Sequence, residues 1–318
     1  MYLQFYGVRG SIPTPPLNEE YEKKIREILA RAAAEKSDLS TMEARENFIH
    51  SLPFALRSSY GGNTSCVYLN IEGVHVIFDM GSGLRHLGRD LIMKDFGYDS
   101  NELYIFLSHT HWDHIQGLPF FIPAYLDGNT IHIYSPTEHL AARLKRQQNA
   151  PYFPITLTEM GAKFLFHKFQ LNKISHIRNF RVRALELKHP GRSFAYRIEY
   201  GEKSLVYATD TEFNNQSPDF IRTCIDFFHA ADVLICDAQY TAKETFEKLN
   251  WGHSSANSAI DIAIKSRIKR LVFFHHEPGY NDAHLADIHD DAIRYYDLVK
   301  GNHSMELIPA YEGLEINF

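Results

Sequence analysis

The 318-residue chain predicts an α/β fold in which two mixed β-sheets pack face to face with helices outside, an αββα sandwich. Short apolar runs rich in β-branched and aromatic residues come in groups and read as buried strands. Stretches with apolar residues at helical spacing fall between some of these groups. With 44% hydrophobic and 23% charged residues, the chain has the material for one large core or two modest ones.

Taken in order, the chain opens with a strand at Tyr2 to Tyr6 and a loop punctuated by Gly and Pro, Gly7 to Pro16. From about Glu19 to Leu56 the composition turns charged and Ala-rich, so a helical insertion is expected over about residues 17–58 of a single domain spanning 1–318. It is read either as a lid or subunit contact, or as a solvated amphipathic hairpin. A β-hairpin follows, Cys66 to Ile71 and Val74 to Phe78, joined at Glu72-Gly73. After Asp79-Met80-Gly81-Ser82-Gly83, a helix carries Leu84, Leu87, Leu91 and Ile92 on one face. Further strands are expected at Leu103 to Leu107, Ile131 to Tyr134, Arg181 to Leu187, Ala195 to Tyr200, Ser204 to Ala208, Val233 to Cys236 and Leu271 to Phe274. Helices are expected at Glu138 to Gln147, Ser254 to Ser266 and Ala283 to Leu298, and no segment repeats.

Composition narrows the function classes. No stretch reads as a signal peptide or a membrane span, so a cytoplasmic protein with no membrane partner is expected. Cys66, Cys224 and Cys236 are an odd set without CxxC spacing, which argues against disulfides and against a Cys-rich zinc site. A net charge of −6 offers no global basic field for a long nucleic acid. Eighteen histidines, several at predicted strand ends beside acidic residues, point instead to metal.

The densest signal is His109-Thr110-His111-Trp112-Asp113-His114, directly after the apolar strand and Ser108. A loop fixed by a buried strand can aim several ligands rigidly. His109 and His111, two apart in extended backbone, point the same way and can share one ion. Asp113 and His114 turn toward a second. Imidazoles with a carboxylate suit zinc, with manganese or iron as substitutes.

This run resembles the HxHxDH signature of the metallo-β-lactamase superfamily, and Phe5 to Thr14 and Phe78 to Gly83 are similar to segments of its RNase Z-like branch. The resemblance implies a metallo-β-lactamase-like fold and two divalent metal ions. It implies His109, His111, His189 and Asp210 as ligands of one, and Asp113, His114, Asp210 and His275 as ligands of the other. His276 competes with His275. Asp79 is implied to brace the ligand loop, while by itself it also reads as a helix N-cap. In RNase Z-like enzymes the segments matching Trp251 to Ser255 and Asp232 to Ala238 supply a histidine near the scissile phosphate and a carboxylate that orients it, here His253 and Asp237.

The expected reaction is hydrolysis of a small nucleotide or cyclic-nucleotide phosphodiester. A water bridging the two ions is brought from a pKa of about 15.7 toward 7, Asp113 or Asp210 orients it, and His253 protonates the leaving oxygen. RNA 3′-end processing is the close alternative. It ranks second because Cys236-Asp237-Ala238-Gln239 stands where the tRNA-processing enzymes typically have His-Glu-Ala-Thr, and because no basic, Gly/Pro-rich arm is found. Gly7 to Ser11 and Tyr60 to Cys66 look more like bacterial relatives labelled cyclic-nucleotide phosphodiesterase-like. A thioesterase or lactamase, which would not need His253 with Asp237, and a non-catalytic metal sensor are the remaining readings. Relatives of this kind often dimerise, so a homodimer is an assembly the resemblance allows. Three minor expectations concern the rim: Pro151-Tyr152-Phe153-Pro154 as a base-stacking entrance or as packing, Arg9 as a phosphate contact or an ordinary surface residue, and Asn63 as a polar contact near the metals.

Overall fold

The computed structural model describes residues 1–94 and 101–318. Apolar runs become strands wherever both faces can be buried. The first half of the chain forms β1 (Tyr2–Gly7), β2 (Cys66–Ile71), β3 (Val74–Phe78), β4 (Glu102–Phe106), β5 (Thr130–Ser135) and β6 (Lys163–Lys168). The second half forms β7 (Ser175–Ile177), β8 (Phe180–Leu187), β9 (Ser193–Tyr200), β10 (Lys203–Ala208), β11 (Val233–Asp237), β12 (Arg270–Phe274) and β13 (Glu306–Pro309), and β14 (Glu315–Asn317) returns to the first sheet. The two seven-stranded sheets have the orders β14-β1-β2-β3-β4-β5-β6 and β13-β12-β11-β10-β9-β8-β7. Each is antiparallel in one part and parallel in the other, with β3 to β6 parallel in the first and β10 to β13 parallel in the second.

The core lies in three layers. Phe5, Val67, Phe78, Phe106, Tyr196, Tyr207 and Phe274 fill the space between the sheets. The helices are α1 (Asn18–Glu35), α2 (Met42–Ser51), α3 (Phe54–Arg57), α4 (Leu84–Met93), α5 (Trp112–Ile115), α6 (Leu140–Gln147), α7 (Pro218–Phe228), α8 (Ala242–Glu247), α9 (Ala256–Lys265) and α10 (Asp282–Val299). Leu84, Leu87 and Leu91 of α4, with Leu140 and Leu144 of α6, cover the outer face of the first sheet. Cys224, Phe228, Ile260, Ala263 and Tyr296, from α7, α9 and α10, cover that of the second. This is the αββα sandwich expected, with helices on both outer faces. Among the described residues no helix is long and apolar enough to cross a membrane. All three cysteines are buried and unpaired.

Residues 17–58, expected to be helical, carry α1 to α3. Apolar and polar contacts both hold this segment: Phe54 packs on Tyr60 and Tyr311, and Lys24 Nζ reaches Asp282 Oδ2 at 2.5 Å, while Asp282 Oδ1 accepts from Tyr60 N at 2.9 Å and Ser59 Oγ at 3.2 Å just beyond it. Asp282 is buried at the start of α10, where a carboxylate also favours the helix N-terminus. Sequence reading missed β6, β7, β13, β14, α7 and α8. Two of these carried local signals: Ser217 caps α7 ahead of Pro218, and Thr241 with Glu244 forms a capping box on α8.

Two backbone segments meet where the first sheet ends. Met80 N donates to His114 O and Gly117 N to Met80 O, both at 2.8 Å. A Cβ on Gly117 would lie 2.0 Å from Gly81 O, so the approach admits no side chain. Gly73, by contrast, has φ +85° and open space around it. Gly117→Ala should therefore lower unfolding stability by about 3 kcal/mol through backbone displacement, against about 1 kcal/mol for Gly73→Ala through conformation alone. Urea unfolding of both variants measures the difference, and equal midpoints would remove the close-approach argument.

Candidate metal centre

The site stands at the C-terminal ends of parallel strands from both sheets, where turns can present side chains without ladder obligations. Asp79 follows β3, the run His109 to His114 follows β4, Asp210 follows β10, Asp237 ends β11 and His275 follows β12. His189 lies between β8 and β9. Asp79, Asp210 and His275 all have left-handed backbone, with φ of 58°, 51° and 63°. A non-glycine residue is rarely held there, at about 1–3 kcal/mol each, and the conformation turns each side chain inward immediately after its strand.

Five imidazoles and two carboxylates converge. Asp210 faces both halves of the cluster: its Oδ2 lies 3.6 Å from His109 Nε2 and 3.6 Å from His189 Nε2, and its Oδ1 lies 3.2 Å from His114 Nε2 and 3.3 Å from His275 Nε2. Asp113 Oδ2 lies 3.2 Å from His114 Nε2 and 3.1 Å from His275 Nε2, and accepts from Ser11 N at 2.8 Å. His111 Nδ1 is 3.0 Å from His189 Nε2. His275, not His276, enters the cluster, because His276 Nε2 is bonded to Ala310 O at 2.8 Å. Burial and the neighbouring Arg9 hold the His276 imidazole neutral, its pKa down to about 3.

The far nitrogen of four rings is already occupied. His114 Nδ1 meets Asp79 Oδ2 at 2.7 Å, His189 Nδ1 meets Gly252 O at 3.0 Å, His275 Nδ1 meets Gln239 Oε1 at 3.2 Å, and His109 Nδ1 meets Ser108 Oγ at 3.0 Å. Each partner can accept a hydrogen bond from Nδ1–H, which turns Nε2 inward toward the carboxylates. His109 Nε2 and His114 Nε2 are buried without a hydrogen bond. Ligand atoms of His109, His111 and His189, of His109, His114 and Asp210, and of Asp113, His114 and His275 lie within 4.8 Å of one another in each group. Inward imidazole nitrogens beside carboxylates are the donor set of a divalent cation, so these residues fit divalent metal.

Electrostatics divide the rings. Burial lowers the pKa of His109, His111 and His189 toward the neutral form that ligates. Burial opposes ionisation of Asp113, but His114 and His275 outweigh it and push the carboxyl well below its usual range. For Asp210 the same opposition of burial is overcome by His275, His114 and His109. Burial would lower His114 and His275 too, yet the adjacent carboxylates raise both.

Beside the cluster, His253 Nδ1 meets Asp237 Oδ2 at 2.7 Å, and Asp237 Oδ1 accepts from Ser254 N at 3.0 Å. The shorter aspartate therefore reaches its histidine. The His253 ring stacks on His275 with centroids 5.0 Å apart. His253 is buried, not a surface histidine, and its Nε2 is the nitrogen left for the site.

Three expectations need correction. Asp79 is not a helix cap, since Gly83 takes that position; it accepts from Ser108 N, Ser108 Oγ, Tyr207 Oη and His114 Nδ1, each at 2.7 Å. Arg9 is neither a surface residue nor a free phosphate contact: it is buried and donates to the carbonyls of Gly61, Glu277 and Tyr280. Asn63 binds Glu312 and Ser82 instead of facing the cluster. At the rim, Phe153 packs on Phe120 with centroids 5.6 Å apart, while Tyr152 is exposed. Sequence reading missed Ser108, Tyr207 and Gln239, which reach His109, Asp79 and His275 through contacts no local pattern announces.

A family profile described as "Beta-lactamase superfamily domain" matches residues 101–276. Proteins named Ribonuclease Z are similar in sequence. That of Picrophilus torridus is 25% identical over 270 residues, covering 71% of this chain and 84% of its own, and that of Picosynechococcus is 24% identical over 268 residues, covering 67% and 79%. Among solved structures, the metallo-β-lactamase fold protein YhfI of Bacillus subtilis superposes with a TM-score of 0.65 at 18% identity, covering 99% of this chain and 98% of that one. The short form of human tRNase Z does so at 0.61 and 18%, covering 100% and 99%. These structures share the fold.

Asp79→Asn keeps the shape but places an amide donor against the three donors that meet Oδ2, loosening His114 and Ser108 together. The expected result is a 10–100-fold weaker affinity for zinc, measured by calorimetric titration of chelator-treated protein. An unchanged affinity would show that the ligands are held without it.

Proposed function

This chain belongs to the metallo-β-lactamase superfamily of hydrolases, and from that premise we propose that it cleaves phosphodiesters in RNA, releasing a 3′-end. The observation that carries the phosphodiester reading is the His253–Asp237 pair, held against the ligand cluster on a separate loop. The similarity to proteins named Ribonuclease Z moves the preferred substrate from a small nucleotide to RNA.

His109, His111, His189 and Asp210 would hold one divalent ion, and Asp113, His114, Asp210 and His275 the second, with zinc the best match to the donors. When bound, the pair supplies Lewis acidity that makes hydroxide available at neutral pH and offsets charge on the phosphate. The protein supplies position and protons. Asp113, fixed by Ser11 N, and Asp210 present acceptors from opposite loops and orient the attacking water. Asp237 accepts from His253 Nδ1, setting the ring so that the protonated imidazole offers Nε2–H to the departing oxygen. A sugar alkoxide is a strong base and needs that proton; a nitrophenolate does not. The buried, unpaired cysteines favour a reducing compartment, and we place the protein in the cytoplasm.

His253→Ala should slow cleavage of a dinucleotide by about 10²- to 10⁴-fold and that of bis-p-nitrophenyl phosphate by far less. Equal losses on both would refute the proton donor. Metal removal or Asp210→Ala should abolish both activities. A panel of pre-tRNA, dinucleotide, cyclic nucleotide and thioester ranks the substrates, and preference for the thioester would overturn the reading.

A further inference from the structure

Both tryptophans of the chain stand at this site, and both are exposed, Trp112 by 79% and Trp251 by 61%. Tryptophan offers the largest aromatic face of any side chain, and an exposed face on an ordered segment can stack on a planar ligand. Neither lies on a loose loop. Trp112 sits between His111 and Asp113 at the start of α5. Trp251 precedes Gly252, whose N–H donates to Glu212 Oε2 at 3.1 Å and whose carbonyl holds His189; Asn250 N donates to Glu212 Oε1 at 3.2 Å.

The two segments meet across the open edge of the cluster. His111 is its exposed member, while His114, His275, Asp113 and Asp210 are buried. His111 touches His189, and His189 is bonded to Gly252, so one short chain of contacts links the Trp112 segment to the Trp251 segment. Each side carries a cation. Arg143 donates to Thr110 Oγ1 at 2.8 Å, and Lys248 lies 4.2 Å over the Tyr240 ring and 6.0 Å from the Trp251 ring. Tyr240 in turn packs edge-on against His253, with centroids 5.6 Å apart.

We propose that Trp112 and Trp251 form a two-sided stacking clamp for the nucleobases flanking the scissile phosphate of a single-stranded substrate. Trp251, two residues before His253, takes the base on the leaving-group side; Trp112 takes the other. Arg143 and Lys248 meet the neighbouring phosphates. Stacking tolerates any base, so the clamp gives affinity for single strands without sequence preference. The clamp rests on the phosphodiesterase reading, and its test separates the two.

With only two tryptophans, W112F and W251F each leave a single emitter. Titrating the zinc-loaded chain and both variants with a slowly cleaved dinucleoside phosphorothioate should quench each emitter. Trp251→Ala should raise KM for a dinucleotide about tenfold more than for methyl p-nitrophenyl phosphate, with W251F restoring most of the loss. That excess should vanish on a dinucleotide lacking the leaving-side base. Unquenched emission in a chain that turns over phosphodiesters, or equal losses on both substrates, overturns the clamp and leaves the hydrolase reading standing. Quenching by the dinucleotide in a chain that cleaves no phosphodiester supports the clamp and overturns the hydrolase reading instead.

Discussion

One buried carboxylate holds the two halves of the molecule in register at the site. Asp79 follows β3 of the first sheet, yet it accepts the Tyr207 hydroxyl from β10 of the second, along with Ser108 and His114 from the loop after β4. An ionised group without solvent is tolerated only when its lone pairs are taken, and here four donors take them. The same bonds fix His114 directly and His109 through Ser108. Losing them would loosen the loop from His109 to His114 and remove one polar tie between the sheets.

That dependence explains why the site can be built from single residues at so many strand ends. The parallel parts of the two sheets both send their C-terminal ends to one edge, and a left-handed residue directly after β3, near the end of β10 and directly after β12 turns Asp79, Asp210 and His275 inward. The ladders hold those ends rigidly enough to sustain the strain. Gly81 and Gly117 let the turn after β3 press against the ligand loop backbone to backbone. Precision at the centre thus comes from sheet geometry and close backbone approach.

Much of this was legible because it is local. Buried strands such as Leu103 to Phe106 and Val233 to Cys236 are apolar enough to announce themselves, and His109 to His114 carries its chemistry in six residues. Edge strands were not legible. In β6, Lys163–Lys168, four consecutive residues are only partly buried, so neither alternation nor a buried run appears, and β7 is three residues long. Pairing through space was the second barrier. Nothing near Tyr207 or Gln239 indicates that their polar atoms serve Asp79 and His275, and Arg9 reads as a surface residue until Gly61, Glu277 and Tyr280 are folded around it.

The charge distribution then limits how a substrate can be recognised. The net charge of −6 gives no long-range attraction for a polyanion, and four of the carboxylates counted in it, Asp79, Asp113, Asp210 and Asp237, stand at the centre itself. Two divalent cations would balance those four charges, so attraction for a phosphate is confined to the immediate site and falls off within about a Debye length, roughly 8–10 Å. Whatever lies beyond that range has to be held by short-range contacts. The aromatic faces at the mouth meet that requirement: stacking needs no field, and Lys248 and Arg143 add charge only beside the centre. A phosphodiester flanked by unpaired bases satisfies both constraints together, whereas a base-paired backbone presents its phosphates without free base faces.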